Sequence, residues 1–141
     1  MQPLRLQQQP GKYRYLIIDK PFRVTLSENP LPHGLEAAGN EFVYVTPKQI
    51  MLAPRYAWNG ANYVPDDQFL EGSGVHDGLY QLMELGILPR SNRRIYDRIM
   101  RDTARRYGMG KTRAWVYYIG VRWGFPVVEL ITAIVAYLRN R

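Results

Sequence analysis

Apolar positions recur along the chain with two different periods, and the change falls near Gly74. Up to Leu52 the apolar runs are short and rich in β-branched and aromatic side chains: Tyr13 to Ile18, Phe22 to Leu26, Glu41 to Thr46 and Gln49 to Leu52. Such runs, punctuated by Asp19-Lys20-Pro21 and closed by Pro54, predict strands. Asn29-Pro30-Leu31-Pro32-His33-Gly34 is too dense in breakers to be anything but loop, which makes His33 a turn residue.

From Gly74 the period lengthens. Val75, Leu79, Leu82 and Met83 share one face of a helix that Gly86 closes. Pro89-Arg90-Ser91-Asn92 is a short connection, with Ser91 or Asn92 suited to cap a second helix from Arg93 to Tyr107, ended by Gly108-Met109-Gly110. So short a link favours an antiparallel helical hairpin. From Trp115 to Leu138 the only charges are Arg122 and Glu129. That stretch approaches bilayer length, but Gly124-Phe125-Pro126 divides it into two helices, each too short to cross, with Pro126 in the favoured first turn of the second. A buried core hairpin is the first expectation for this tail. Its tryptophans, tyrosines and flanking arginines keep contact with a membrane interface as the alternative.

The expected class is α+β, a small N-terminal antiparallel β-sheet followed by an antiparallel helical hairpin and two C-terminal apolar helices. One domain is expected from 141 residues, long enough to bury a single core. Within it, residues 1–12 read as a flexible arm, 13–57 as the β-rich part, 58–107 as a loop plus the hairpin, and 111–141 as the apolar helices. The arm contains no apolar run of signal-peptide length.

Charge and composition narrow the chemistry. The absence of cysteine excludes disulfides and thiolate metal sites, and His33 and His76 alone are poor provision for zinc. The net charge of +7 is uneven: residues 1–88 carry 7 Lys and Arg against 9 Asp and Glu, and residues 89–141 carry 12 against 3. Such asymmetry points to a polyanionic partner, an anionic membrane or nucleic acid, or to a solvated arginine face. Arg90, Arg94, Arg98, Arg101 and Arg105 step along one side of the second helix, as an anion-binding row would.

The candidate site lies between Trp58 and Asp97. Residues four apart on a helix share a face, so His76 and Tyr80 project together while Asp77 points elsewhere. If the second helix runs back alongside, Asp97 can accept hydrogen bonds from a ring nitrogen of His76 and from the Tyr80 hydroxyl. The other ring nitrogen is then left to act as a base. Asp77 would face the loop Trp58-Asn59-Gly60-Ala61-Asn62, where Gly60 lets carbonyl oxygens converge; carbonyls plus a carboxylate are what a hard cation such as calcium requires. The class of reaction is metal-assisted hydrolysis of an acyl ester, with His76 activating water and the cation stabilising the oxyanion. The plainer readings stay open: Tyr80 as a core tyrosine, and Asp97 as an exposed partner of Arg93, Arg94 or Arg101.

Ile50 to Pro65, followed by His76-Asp77-Gly78-Leu79-Tyr80, resembles a family of small uncharacterised proteins of tailed bacteriophages and prophages, whose pattern is aliphatic-x-x-Pro-x-Gly-Phe-x-x-Asp-Gly-Ala-Ser-x-x-Pro and then His-Asp-x-Leu-Tyr. The likeness covers roughly residues 40–125 and departs at Arg55, Asn59 and Asn62, where that family usually has Gly, Asp and Ser. The same core is similar to the secreted phospholipase A-two superfamily, most of all its bacterial branch, through Asn59-Gly60, Pro65-Asp66, His76-Asp77, Tyr80 and Asp97. That second resemblance implies a phospholipase-like hairpin, His76 as general base, Asp77 as a calcium ligand, and Tyr80 with Asp97 as supporting network. Asn59 in place of Asp removes one negative charge from the ion loop.

Two functions from different classes follow. One is a phage-encoded, calcium-assisted hydrolase of lipid acyl esters, made in the bacterial cytoplasm and seated peripherally on an anionic membrane. The other is a non-catalytic structural or assembly protein of the virion, partnered by other virion proteins. Non-specific nucleic-acid binding is a third, lesser expectation, since no helix-turn-helix, zinc or ribonucleoprotein pattern accompanies the arginines.

Overall fold

A computed structural model describes residues 6–8, 15–17, 19–58 and 70–140. The α+β class is observed: short antiparallel strands come first, and four helices follow. Two sheets form where one was expected. Strands β1 (Leu6–Gln8), β2 (Tyr15–Ile17) and β7 (Ala57–Trp58) make a three-stranded sheet in the order β1-β2-β7. Strands β3 (Phe22–Thr25), β4 (Ala38–Gly39), β5 (Val43–Val45) and β6 (Gln49–Leu52) make a four-stranded sheet in the order β3-β6-β5-β4. The flexible-arm reading of residues 1–12 is corrected at β1, where Leu6 lies opposite Ile17 and Gln8 opposite Tyr15. Backbone groups alone make that ladder, so a glutamine run gave no apolar signal for it.

The four-stranded sheet buries alternate residues, as its period demands. Phe22, Val24, Val43, Val45, Ile50 and Leu52 are all at most 2% exposed, and they meet one face of the first helix, α1 (Leu70–Glu84). Two glycines on that face set the distance of approach. A Cβ on Gly74 would lie 3.2 Å from the Trp58 indole, and one on Gly78 would lie 3.1 Å from Leu52 Cδ2. The helix starts ahead of the expected Gly74 because its first turn is held by tertiary contacts: Ser73 Oγ accepts from Trp58 Nε1 at 3.0 Å and donates to the Leu70 carbonyl at 3.1 Å. With Gly74 and Gly78 turned to the sheet, the 100° step of an α-helix carries His76 and Tyr80 to the opposite side.

Gly86, with φ 76°, closes α1 as expected: its N–H donates to Met83 and that of Ile87 to Leu82, the paired bonds of a Schellman stop. A 3-10 turn, Arg90–Asn92, then leads into α2 (Arg93–Arg106). The expected side-chain cap is absent; Asn92 instead donates its amide to the Pro30 carbonyl at 3.1 Å, a tertiary tie in place of a local one. The end of β3 and the loop that follows it grip α2 further along. Arg98 makes a two-pronged bond to Glu28 at 2.8 and 2.6 Å, Ser27 donates to Asp102 at 2.8 Å, and the Arg106 guanidinium reaches the Thr25 carbonyl.

Helices α3 (Lys111–Trp123) and α4 (Phe125–Arg139) complete the described chain, divided at Gly124 with Pro126 in the first turn of α4. Met100, Ala104, Met109 and Ala114 form a second small core between α2 and α3. The expectation of a buried C-terminal hairpin is corrected. Leu130, Ile134, Val135, Tyr137 and Leu138 are 42–62% exposed and Trp123 is 67% exposed, with α4 packed chiefly on α3. No helix among the described residues is long and apolar enough to cross a membrane.

Candidate functional site

His76 and Asp97 face one another across the α1–α2 hairpin. His76 Nε2 is 2.8 Å from Asp97 Oδ1, and the Tyr80 hydroxyl donates to the same oxygen at 2.6 Å. Asp97 has no solvent exposure, and its second oxygen, Oδ2, accepts from Arg122 of α3 at 3.1 Å. A buried carboxylate tolerates its charge when both oxygens accept from donors, at least one of them cationic. The Tyr80 ring lies 4.0 Å from that of His76, centre to centre, and its hydroxyl accepts from Arg93 Nε at 3.0 Å. Three helices therefore contribute to one polar cluster, ordered Arg93–Tyr80–Asp97, with His76 and Arg122 as the other two partners of the carboxylate.

The electrostatics follow from those contacts. Burial pulls the His76 pKa down, but the neighbouring carboxylates of Asp77 and Asp97 outweigh it and the net shift is upward from 6.5. Burial alone would raise Asp97; the bonds from His76, Tyr80 and Arg122 reverse that and hold it below its ordinary value of 3.8. Tyr80 is pushed upward, first by burial and then by the Asp97 carboxylate, so it remains a protonated donor. The opposite shifts of His76 and Asp97 are those of an imidazolium and a carboxylate that stabilise one another.

The second ring nitrogen has a different environment. Among the described residues its nearest acidic group is Asp77, with Nδ1 to Oδ1 at 3.8 Å, beyond hydrogen-bond reach. The Asp77 side chain is 41% exposed. Once the imidazole is neutral and its proton sits on Nε2 for Asp97, Nδ1 has a lone pair to offer to water.

The residues expected to hold calcium divide. Asp77 stands beside His76, and Trp58 is a core residue whose indole packs on Tyr15 and Tyr56 at 5.7 and 5.6 Å. Asn59, Gly60 and Asn62 lie outside the described residues, as do Pro65 and Asp66. Among the described residues no cluster of three or more His, Cys, Asp or Glu side chains could hold a metal ion. Of the expected ligands the described residues include Asp77, a half-exposed carboxylate of the kind a hard cation takes.

The five-arginine row does not present itself as a free anion-binding stripe. Arg90 pairs with Glu84 at 3.0 Å, Arg98 with Glu28 at 2.6 Å, and Arg101 with Asp102 at 3.1 Å while lying 5.1 Å over the Tyr118 ring. Arg94 and Arg105 are exposed on α2. Arg90 lies in the 3-10 turn ahead of α2, and the carboxylates that engage Arg90 and Arg98 come from other elements and cannot be read from helical spacing. Nor is Asp97 the exposed partner of Arg93, Arg94 or Arg101.

Arg122 and Arg93 are the members of the cluster that residue spacing did not reveal. For Arg122 a signal existed: it is the single cation in the apolar run Trp115 to Leu138, and a charge in such a helix needs a partner. Compared with known proteins, the chain matches no family model, no curated protein and no solved structure.

Proposed function

We propose that the protein is a His–Asp hydrolase of acyl esters that works at an anionic lipid surface. The observation that carries this reading is the His76 Nε2 to Asp97 Oδ1 bond of 2.8 Å, which orients the ring and leaves Nδ1 without a hydrogen-bonding partner among the described residues. In the proposed reaction His76 Nδ1 takes a proton from water, and the hydroxide so formed adds to the ester carbonyl carbon. Collapse of the tetrahedral adduct breaks the acyl C–O bond, and the imidazolium returns its proton to the leaving alkoxide, giving a carboxylic acid and an alcohol. Asp97 stabilises the imidazolium, and Tyr80 and Arg122 hold Asp97 in place. Asp77 with oxygens of residues 58, 59, 60 and 62 is the set that would hold calcium, which when bound would supply positive charge to the ester carbonyl. A lipid surface as the setting is supported by the apolar outer face of α4 and by the excess of cations in residues 89–141. The residue pattern from Ile50 to Tyr80 supports encoding by a tailed phage or prophage.

The test is release of fatty acid from phosphatidylglycerol vesicles. Release that requires calcium and disappears in His76→Ala is the expected result; equal inertness of wild type and variant across a range of calcium would sink the hydrolase reading.

A second reading, a virion structural or assembly protein, is favoured by one observation. Arg122 ties α3 to the same carboxylate that joins α1 and α2, which is what a scaffold needs. It predicts the protein in purified particles and failed assembly when residues 115–141 are removed; normal particles from that truncation count against it.

A further inference from the structure

We propose that the C-terminal half of the molecule holds a binding site for a single-chain anionic amphiphile, with a phosphate head in a cleft between α2 and α3 and an alkyl chain in a groove between α3 and α4. The cleft has a volume of about 420 Å³ and is lined by Arg101, Asp102, Arg105, Lys111, Thr112 and Trp115. The groove, of about 350 Å³, is lined by the apolar Val116, Ile131, Val135 and Ala136 together with Arg139 and Asn140, and Thr112 belongs to its wall as well. One residue thus borders both spaces, and each falls within the range of about 300–1,000 Å³ usual for small-molecule sites.

The cleft is built for a negative head. Three cations line it against one carboxylate, Asp102, and that carboxylate is engaged by Ser27 at Oδ2 (2.8 Å) and by Arg101 Nε at Oδ1 (3.1 Å), which leaves Arg105 and Lys111 for the head. Arg105 and Lys111 are exposed, and paired guanidinium and ammonium donors are the usual partners of phosphate oxygens. Trp115, 48% exposed, lines the same cleft with an apolar ring.

The groove is built for a chain. Thr112 and Val116 stand four residues apart on α3, and Ile131 and Val135 four apart on α4, so each pair shares a helical face along one line. A ligand whose charge sits at Arg105 and Lys111 can therefore pass Thr112 and lay hydrocarbon against Val116, Ile131 and Val135. Free phosphate would leave the apolar groove unused, and a nucleic acid has no hydrocarbon to fill it. The site lies apart from the His76 cluster and binds its ligand whether or not His76 is catalytic.

The experiment is calorimetric titration of the full-length protein with dodecyl phosphate below its micelle concentration, beside inorganic phosphate, dodecyl maltoside and a DNA duplex. Dodecyl phosphate is no acyl ester, so hydrolysis does not enter. It should bind at least about ten-fold more tightly than any of the other three, with about ten-fold loss in Arg105→Gln/Lys111→Gln and in Val135→Asn. Thr112→Trp, at an exposed position with charge unchanged, should remove the advantage of dodecyl phosphate over inorganic phosphate, and circular dichroism spectra should match for all variants. Binding by His76→Ala should equal wild type. Inorganic phosphate, the maltoside or DNA binding as tightly as dodecyl phosphate, or undiminished binding by both the double variant and Thr112→Trp, would overturn the proposal.

Discussion

Replacing Asp97 with Asn should lower the pKa of His76. In the wild type the largest influence on that ring is burial, which lowers its pKa, and the upward shift from 6.5 exists only because Asp77 and Asp97 together outweigh it. The Asp97→Asn substitution would remove the closer and fully buried charge, at 2.8 Å, and leave Asp77 at 3.8 Å with a 41% exposed side chain. Asp77 alone then opposes desolvation, and the pKa of His76 should fall from its wild-type value. The chain has two histidines, so comparison with His33→Gln assigns the His76 ring signals in proton NMR spectra. The same change should cost stability. Asp97 accepts from His76, Tyr80 and Arg122; breaking a buried pair costs about 3–5 kcal/mol, and because an asparagine side chain keeps one acceptor oxygen the lower end, about 3 kcal/mol, is expected. For a chain of this size that is a drop in Tm of about 10 °C.

The pH dependence has a defined sign. A raised His76 contributes stability below 6.5 that is lost as pH rises through its folded value, and a lowered Asp97 contributes stability above 3.8 that is lost as pH falls through its own. The difference in stability between wild type and Asp97→Asn should therefore be largest between those two values. A His76 pKa unmoved by the substitution, or a difference under about 0.5 kcal/mol throughout that window, would refute the reasoning.

Arg122→Met should leave Asp97 Oδ2 buried without its cationic donor, costing about 2 kcal/mol in urea denaturation and moving the acid-side loss of stability to higher pH; an unchanged acid midpoint would show that Arg122 does not hold the carboxylate. Arg55 has φ 77°, a left-handed backbone that costs a residue with a Cβ about 1–2 kcal/mol, so Arg55→Gly should be more stable than Arg55→Ala by about 0.5–1 kcal/mol after the greater chain entropy of glycine is allowed for. Equal melting temperatures for the two would contradict it. If the proposed hydrolysis occurs, its rate at limiting substrate should climb as pH passes the raised pKa of His76, since only the neutral ring can take a proton from water; a rate that falls through that range would contradict a His76 base.

Much of this arrangement is legible in residue spacing, and the rest is hidden for identifiable reasons. Spacing places His76 and Tyr80 on one face, and a short link before Arg93 implies that Asp97 returns to meet them, because both inferences need only helical geometry and an antiparallel turn. The partners of Arg98 and Arg101 are not legible. Glu28 reaches Arg98 from a loop 70 residues away, and Asp102 engages Arg101 from the next position, so a regular row of arginines looks freer than it is. Leu6–Gln8 reads as an arm because a polar edge strand carries no periodic apolar signal. The C-terminal tail misleads for the opposite reason: apolar content in Leu130, Ile134 and Leu138 suggests burial, yet hydrophobicity states a preference and among the described elements α4 packs chiefly on α3.

The most direct measurement is the protonation site of neutral His76, read from long-range proton–nitrogen correlation spectra of labelled protein at a pH above its raised pKa. A proton on Nε2, donated to Asp97, with Nδ1 bare, is the expected result. A proton on Nδ1, or rapid exchange between the two nitrogens, would show that Asp97 does not orient the ring and would remove the basis for a base at this position.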